Sequence, residues 1–131
     1  DGKPIKDVAS GGEFSRLIFA IKYLIAQKTA LPTIVFDEID TGVSGEVANK
    51  MISFMRQMSE NHQIISISHL PQFAAGGDCH FYVYKDNSND KTKTKIKLLD
   101  AEERVTHIAR MIAGDDVTSV TIDNARELLK H

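Results

Sequence analysis

The chain holds a single cysteine, Cys79, in 131 residues, so an internal disulfide is excluded, in agreement with a reducing compartment. No apolar run approaches the ~18 residues of a membrane-spanning helix, and the first residues carry no signal-peptide pattern. Net charge is nearly absent as well. Lys and Arg total 16 against 18 Asp and Glu, a balance of −2. Global attraction to nucleic acid or an anionic membrane is thereby excluded, and any such contact must be a local patch. There is no internal repeat and no low-complexity tract. The opening "DGKPIKD" lacks an initiator Met and reads as part of a longer polypeptide. One motif is missing too: the phosphate-gripping loop G-x-x-x-x-G-K-[ST]. The only Gly-Lys pair is Gly2-Lys3, and Pro4 follows it. What remains is an ordinary globular composition, 42% hydrophobic and 26% charged.

Apolar residues set the architecture. After "ASGG", Phe14, Leu17, Ile18, Ile21, Leu24 and Ile25 recur at helical spacing and predict an amphipathic helix over 13–28. "LP" punctuates, and Thr33–Asp37 reads as a strand buried on both faces. "TGVSG" is a loop whose Ser44 and Gly45 are candidate caps for a helix near 46–60. That helix carries Val47, Met51, Phe54, Met55 and Met58 on one face, where the methionines serve as core packing. "QIISIS", 63–68, is a second β-branched run. Strand, helix and strand, both strands continuously apolar, predict a parallel sheet covered on both faces. "CHFYVYK" and "KTKTKIKLL" around "DNSND" predict an antiparallel hairpin. Helices over 101–113 and 119–130 complete an α/β lobe. Cys79 is expected to be a buried, small apolar residue.

The strand at 33–37 raises a question, because it wants to be dry yet runs into Asp37, Glu38 and Asp40. In an open parallel sheet, ligands gather beyond the carboxyl ends of the strands. A carboxylate there can face a hard cation such as Mg²⁺, and a neighbouring Glu can orient or deprotonate a water. Acids can equally just mark a strand end and cap a loop. Ser10, Gly11 and Gly12 stand immediately before a helix, where glycines and free N–H groups let a phosphate approach. Ser10 with Glu13 three residues on is also an ordinary capping box. His69 ends the second apolar strand, placed to meet a γ-phosphate, although a lone His often has a structural role.

Together and in this order the three stretches resemble the second half of an ABC-type ATPase head. "SGGE" is similar to the signature motif, "TIVFDE" to the Walker B strand and "ISISH" to the switch-histidine strand. "DEID" in place of "DEPT", with Glu13 in place of Gln, points from membrane transporters towards the SMC-like ATPases of chromosome maintenance. Four longer stretches narrow the match: "VASGGEFSRLIFAIK", "FDEIDTGVSGEVA", "SHLPQFAAGGDCHFYVYK" and "RVTHIARMIAGDDVTSVTIDNARELL". Over nearly the whole chain they resemble the RecN family of bacterial double-strand-break repair proteins.

The resemblance implies a fold and a set of roles. Residues 1–131 would form the C-terminal lobe of an ABC-type ATPase head, with parallel strands covered by helices, a β-hairpin and a helical C-terminal tail. In SMC-like proteins the two head halves lie at opposite ends of the polypeptide, separated by a coiled coil. The missing Walker A loop would therefore belong to the N-terminal half-head. Ser10, Gly11, Gly12 and Glu13 would bind the γ-phosphate side of ATP held by a second subunit. Asp37 would hold Mg²⁺ through its water shell, Glu38 would be the catalytic base, and His69 would sense the γ-phosphate. Ser44 occupies the D-loop position, where related heads carry Asp. Asp40 would organise the loop or face a dimer partner, with direct metal binding the lesser alternative. Implied partners are DNA (double-strand-break ends or single strands), the N-terminal half-head, and a second copy through ATP-bound heads. No membrane is implied, and the location would be cytoplasmic and nucleoid-associated. The full-length protein would hydrolyse ATP in repair and recombination, while the isolated 131 residues would be inactive. The alternative is a structural, chromosome-organising SMC-like protein with slow or vestigial turnover.

The hairpin carries Lys91, Lys93, Lys95 and Lys97 at alternate positions, one face of a strand. Such a stripe can neutralise DNA phosphates, or it can protect an edge strand from aggregation.

Overall fold

Two apolar, β-branched runs joined by one helix have a simple solution, and the chain adopts it. The computed structural model of the chain describes residues 11–130. In chain order, the elements are α1 (Gly11–Lys28), β1 (Thr33–Asp37), α2 (Gly45–Met58), β2 (Gln63–Ile67) and α3 (Pro71–Gly76). Then follow β3 (Phe81–Asp86), β4 (Lys93–Leu98), α4 (Ala101–Ala113) and α5 (Ser119–Leu128). The chain divides into two compact units, Asp1–Phe73 and Ala74–His131.

In the first unit β1 and β2 pair in parallel, from Thr33 opposite Gln63 to Asp37 opposite Ile67. Ile34 and Phe36 turn inward and cluster with Phe19 of α1 and with Ala48, Met51, Met55 and Met58 of α2. Phe36 is fully buried, its ring 5.3 Å from that of Phe19. Ser44 caps α2 through its Oγ, which accepts the Val47 N–H at 3.4 Å. The other face of the sheet departs from expectation. Val35, Ile65 and Ile67 are 43%, 43% and 50% exposed. The strands are continuously apolar, as a doubly covered sheet requires. The core helices, however, pack on the Ile34–Phe36 side, and nothing among the described residues covers the opposite one.

Helix α1 also differs from its sequence pattern. The stripe Phe14, Leu17, Ile21, Leu24 and Ile25 lies outward, 36% to 57% exposed. The inward face is Ser15, Phe19 and Ala26, with Tyr23 packed beside them. The helix is apolar on two faces, and periodicity alone cannot say which one meets the strand. The aromatic face does, since Phe19 and Tyr23 also engage the Phe54 ring of α2.

In the second unit β3 and β4 pair antiparallel, from Phe81 opposite Leu98 to Asp86 opposite Lys93. Helices α4 and α5 each begin with a reciprocal capping box, Asp100 with Glu103 and Thr118 with Thr121. Val105, Ile108, Ala109 and Ala125 form their core with Ala75. The Arg104 guanidinium donates to the carbonyls of Ala74, Ala75, Gly77 and Asp78. Cys79 is exposed, contrary to expectation, because it lies in the turn entering β3 rather than on a packed face. The lysines alternate as predicted, although Lys91 precedes β4. Lys95 pairs with Asp86 at 2.8 Å and Lys97 pairs with Glu103. On the same face Tyr82 meets the His107 ring of α4, centroids 4.3 Å apart. The opposite face, Phe81, Val83, Ile96 and Leu98, is exposed.

Candidate active site

Beyond the carboxyl ends of β1 and β2 the backbone does something uncommon. Asp37 closes β1 and is exposed. Glu38, the next residue, has φ 53°, the only non-glycine positive φ among the described residues. A side chain in this left-handed region costs roughly 1–2 kcal/mol, so neighbouring contacts must hold it there. They are visible. The Glu38 N–H donates to Ile67 O at 2.8 Å, extending the strand pairing by one residue. The Thr41 Oγ1 hydroxyl donates to Glu38 O at 3.2 Å.

This backbone twist divides the four residues after Phe36. Asp37 and Glu38 remain exposed, while Ile39 and Asp40 are buried. Ile39 joins the apolar core. Asp40 meets the exit of β2, where its Oδ2 accepts the Ser68 hydroxyl at 2.9 Å and the His69 N–H at 3.3 Å. The same oxygen lies 3.2 Å from His69 Nδ1. Ser68 Oγ in turn accepts the Leu70 N–H at 3.0 Å. His69 keeps a 68% exposed side chain.

The start of α1 packs onto the same loop. Gly12 is buried, and a Cβ placed there would lie 2.3 Å from Gly42 O. Only glycine allows that approach. Gly42 itself has φ 70°, and the Ser15 hydroxyl donates to Thr41 O at 3.1 Å. Glu13 is exposed on the first turn. Ser10 lies outside the described residues.

Three segments predicted from sequence are thus connected. The first turn of α1 contacts the loop 38–45, and that loop is bonded to Ser68 and His69. Asp40 ties that loop to the exit of β2 through Ser68 and His69. Ser15 and Ser68, which bind the loop from either side, were not marked by any motif. Ser44 uses its lone pair in the helix cap and keeps its hydroxyl proton for another acceptor.

No three His, Cys, Asp or Glu side chains cluster into a metal cage among the described residues. A single exposed carboxylate such as Asp37 nevertheless fits Mg²⁺. That ion keeps several waters and binds through one or two carboxylates together with substrate phosphates.

No family model matches the chain. By sequence it is 44% identical over 127 residues to the DNA repair protein RecN of Halalkalibacterium halodurans, covering 97% of this chain and 22% of that protein. It is 45% identical over 132 residues to the RecN of Bacillus subtilis, covering 98% and 23%. To the RecN of Haemophilus influenzae it is 41% identical, covering 97% and 23%. The chain therefore spans less than a quarter of the length of these relatives. Among solved structures, it resembles the Smc head domain with a coiled coil and joint from Pyrococcus yayanosii. The TM-score is 0.67 at 21% identity, over 76% of this chain and 19% of that one. A structure solved for the ATP-driven dimerization and DNA-stimulated activation of SMC ATPases gives 0.68 at 21% identity, over 87% and 70%. These two likenesses concern the fold alone, while the relatedness in sequence extends almost from end to end. The chain has the α/β fold of an SMC head, and along nearly its whole length it is similar in sequence to the DNA repair proteins named RecN.

Proposed function

We propose that the chain is the C-terminal half of an ATPase head, residues 1–131, in an SMC-like protein that repairs DNA double-strand breaks. ATP held between two heads would drive their dimerisation, and hydrolysis would release them. The observation that carries this reading is Glu38, held in the left-handed region directly beyond the acidic end of β1. Strain of this kind persists where surrounding structure enforces it, and it concentrates at sites of chemistry.

In this reading Glu38 orients and deprotonates the attacking water. Asp37 would hold Mg²⁺, and the bound ion would supply neutralisation of phosphate charge. His69 contacts the γ-phosphate. Ser10, together with Gly11, Gly12 and Glu13 in the first turn of α1 and with Ser44 ahead of α2, serves the ATP of the opposite head. The packing of Gly12 against Gly42 supports a concerted role, since it sets the first turn directly against the loop 38–45. The phosphate-gripping loop comes from the N-terminal half-head. The open face of β1 and β2, together with the outward apolar stripe of α1, leaves surface for that half to cover. DNA is the macromolecular substrate, and the site of action is the cytoplasmic nucleoid.

Glu38→Gln in the full-length protein tests the reading, because it keeps size and hydrogen bonding but removes basicity. Turnover should fall roughly 10²–10⁴-fold, while ATP-dependent dimers accumulate by light scattering. Hydrolysis at the parental rate would refute the assignment of Glu38 as the base.

A further inference from the structure

We propose, on the reading of the site given above, that Asp40 is a positioning residue for His69. Its buried carboxylate fixes the Nδ1 proton and the plane of the ring, leaving Nε2 as the nitrogen presented to ligand. The side chain of Asp40 has no exposed surface, while that of His69 is 68% exposed. An exposed histidine at a strand end ordinarily samples several rotamers. This one is fastened at a single atom, Nδ1, 3.2 Å from Asp40 Oδ2. That oxygen also accepts the His69 N–H and the Ser68 hydroxyl, so it acts as an acceptor, and in this proposal the ring proton sits on Nδ1 facing it.

The arrangement follows from local sequence. Ile39 enters the core and carries the next residue inward with it, away from Asp37 and Glu38. Stability alone does not account for an aspartate there. Its Oδ1 is buried with no hydrogen-bond partner among the described residues, and leaving such an atom unpaired is destabilising. What the residue provides is order: a ring whose rotamer and tautomer are set before ligand arrives, so that less freedom is lost on binding. The carboxylate of an aspartate bonded to a ring nitrogen is a general means of setting tautomer and orientation.

The test is a double-mutant cycle in the full-length protein, with kcat and KM for ATP measured for Asp40→Asn, His69→Ala and the pair. Asp40→Asn should lower kcat by roughly 10–100-fold, the usual effect of removing such a support, and leave KM for ATP within about twofold of the parent. In the His69→Ala background the same change should cost nothing further, because there is no ring left to position. Ser68→Ala removes another bond to Oδ2 but spares the ring contact, so it should stay near parental turnover. Multiplicative losses in the cycle, a loss in Ser68→Ala equal to that in Asp40→Asn, or parental turnover in His69→Ala would each overturn the proposal. ATP-dependent dimerisation reports that the variants are folded. If Asp40→Asn fails to fold, long-range ¹H–¹⁵N spectra of the parent protein, with His69 assigned by its loss in His69→Ala, take its place. They should show a proton on Nδ1, and a bare Nδ1 would overturn the idea. Failure of the wider reading looks different: Glu38→Gln would then turn over at the parental rate while the Asp40–His69 coupling persisted.

Discussion

The two units hold their carboxylates in opposite ways. In the first, Asp40 is buried, its partners are neighbouring loop groups, and the adjacent Glu38 is held in a left-handed backbone. In the second, Asp86 and Glu103 meet Lys95 and Lys97 at the surface, and the helices start in relaxed capping boxes. Hydrogen bonding to Lys95 holds the Asp86 carboxyl well below its usual range. Because that pair is exposed, water and salt screen it. Surface pairing of this kind decorates a fold. Buried pairing beside a strained residue fixes geometry at the expense of stability.

The comparison can be broken most forcefully at Gly12. Gly12→Ala places a methyl against the Gly42 carbonyl, and overpacking of this kind destabilises by about 1–3 kcal/mol. Thermal unfolding of the full-length protein should show a clear drop in midpoint, and an unchanged midpoint would mean that the loop yields freely. Glu38→Gly sharpens the comparison from the other side. Removing the side chain relieves the left-handed strain and should raise stability by up to about 1 kcal/mol, while abolishing turnover. A Glu38→Gly protein destabilised by more than about 1 kcal/mol, the most that glycine's extra unfolded-state freedom costs, would show that the backbone is not strained there.

The smallest effect belongs to the second unit and depends on pH. Burial, reinforced by the charges of Arg104 and His107, pushes the His80 pKa below its usual 6.5. The unfolded chain therefore binds this proton more readily than the folded one. The stabilising contribution is complete above about pH 6.5 and is lost as pH falls through that value towards the lower folded one. His107, also lowered by burial, adds in the same direction. The melting temperature of the full-length protein between about pH 7.5 and 5.5, the span of a histidine titration, should fall less steeply in His80→Gln. Equal slopes in the two proteins would remove His80 as the cause.

Much of this was legible in the residues. Periodicity placed every long element, because β-branched runs and helical spacing reflect local geometry directly. The Ser44 cap and the alternation of the hairpin lysines followed from the same local rules. What escaped was relational. α1 has two apolar faces, and nothing local distinguishes the one that meets Phe36 from the one left open. Cys79 was placed inside by residue type and lies outside by its position in a turn. Asp40 resembles its acidic neighbours in sequence, and only the twist at Glu38 separates inward from outward. The short helix Pro71–Gly76 was missed because six residues are too few to display a period.

The division of Asp37–Asp40 into an outward pair and an inward pair has a consequence for how such sequences can change over time. Substitution at Ile39 by another apolar residue keeps the loop anchored, so that position can drift. A single-residue insertion or deletion between Phe36 and Asp40 cannot be absorbed in the same way. It would carry a charge into the core or an apolar side chain into solvent, and would unfasten His69 as well. The spacing of this stretch should therefore be held more strictly than the identity of its apolar member, so that lineages retaining the site are expected to vary there by replacement and not by length.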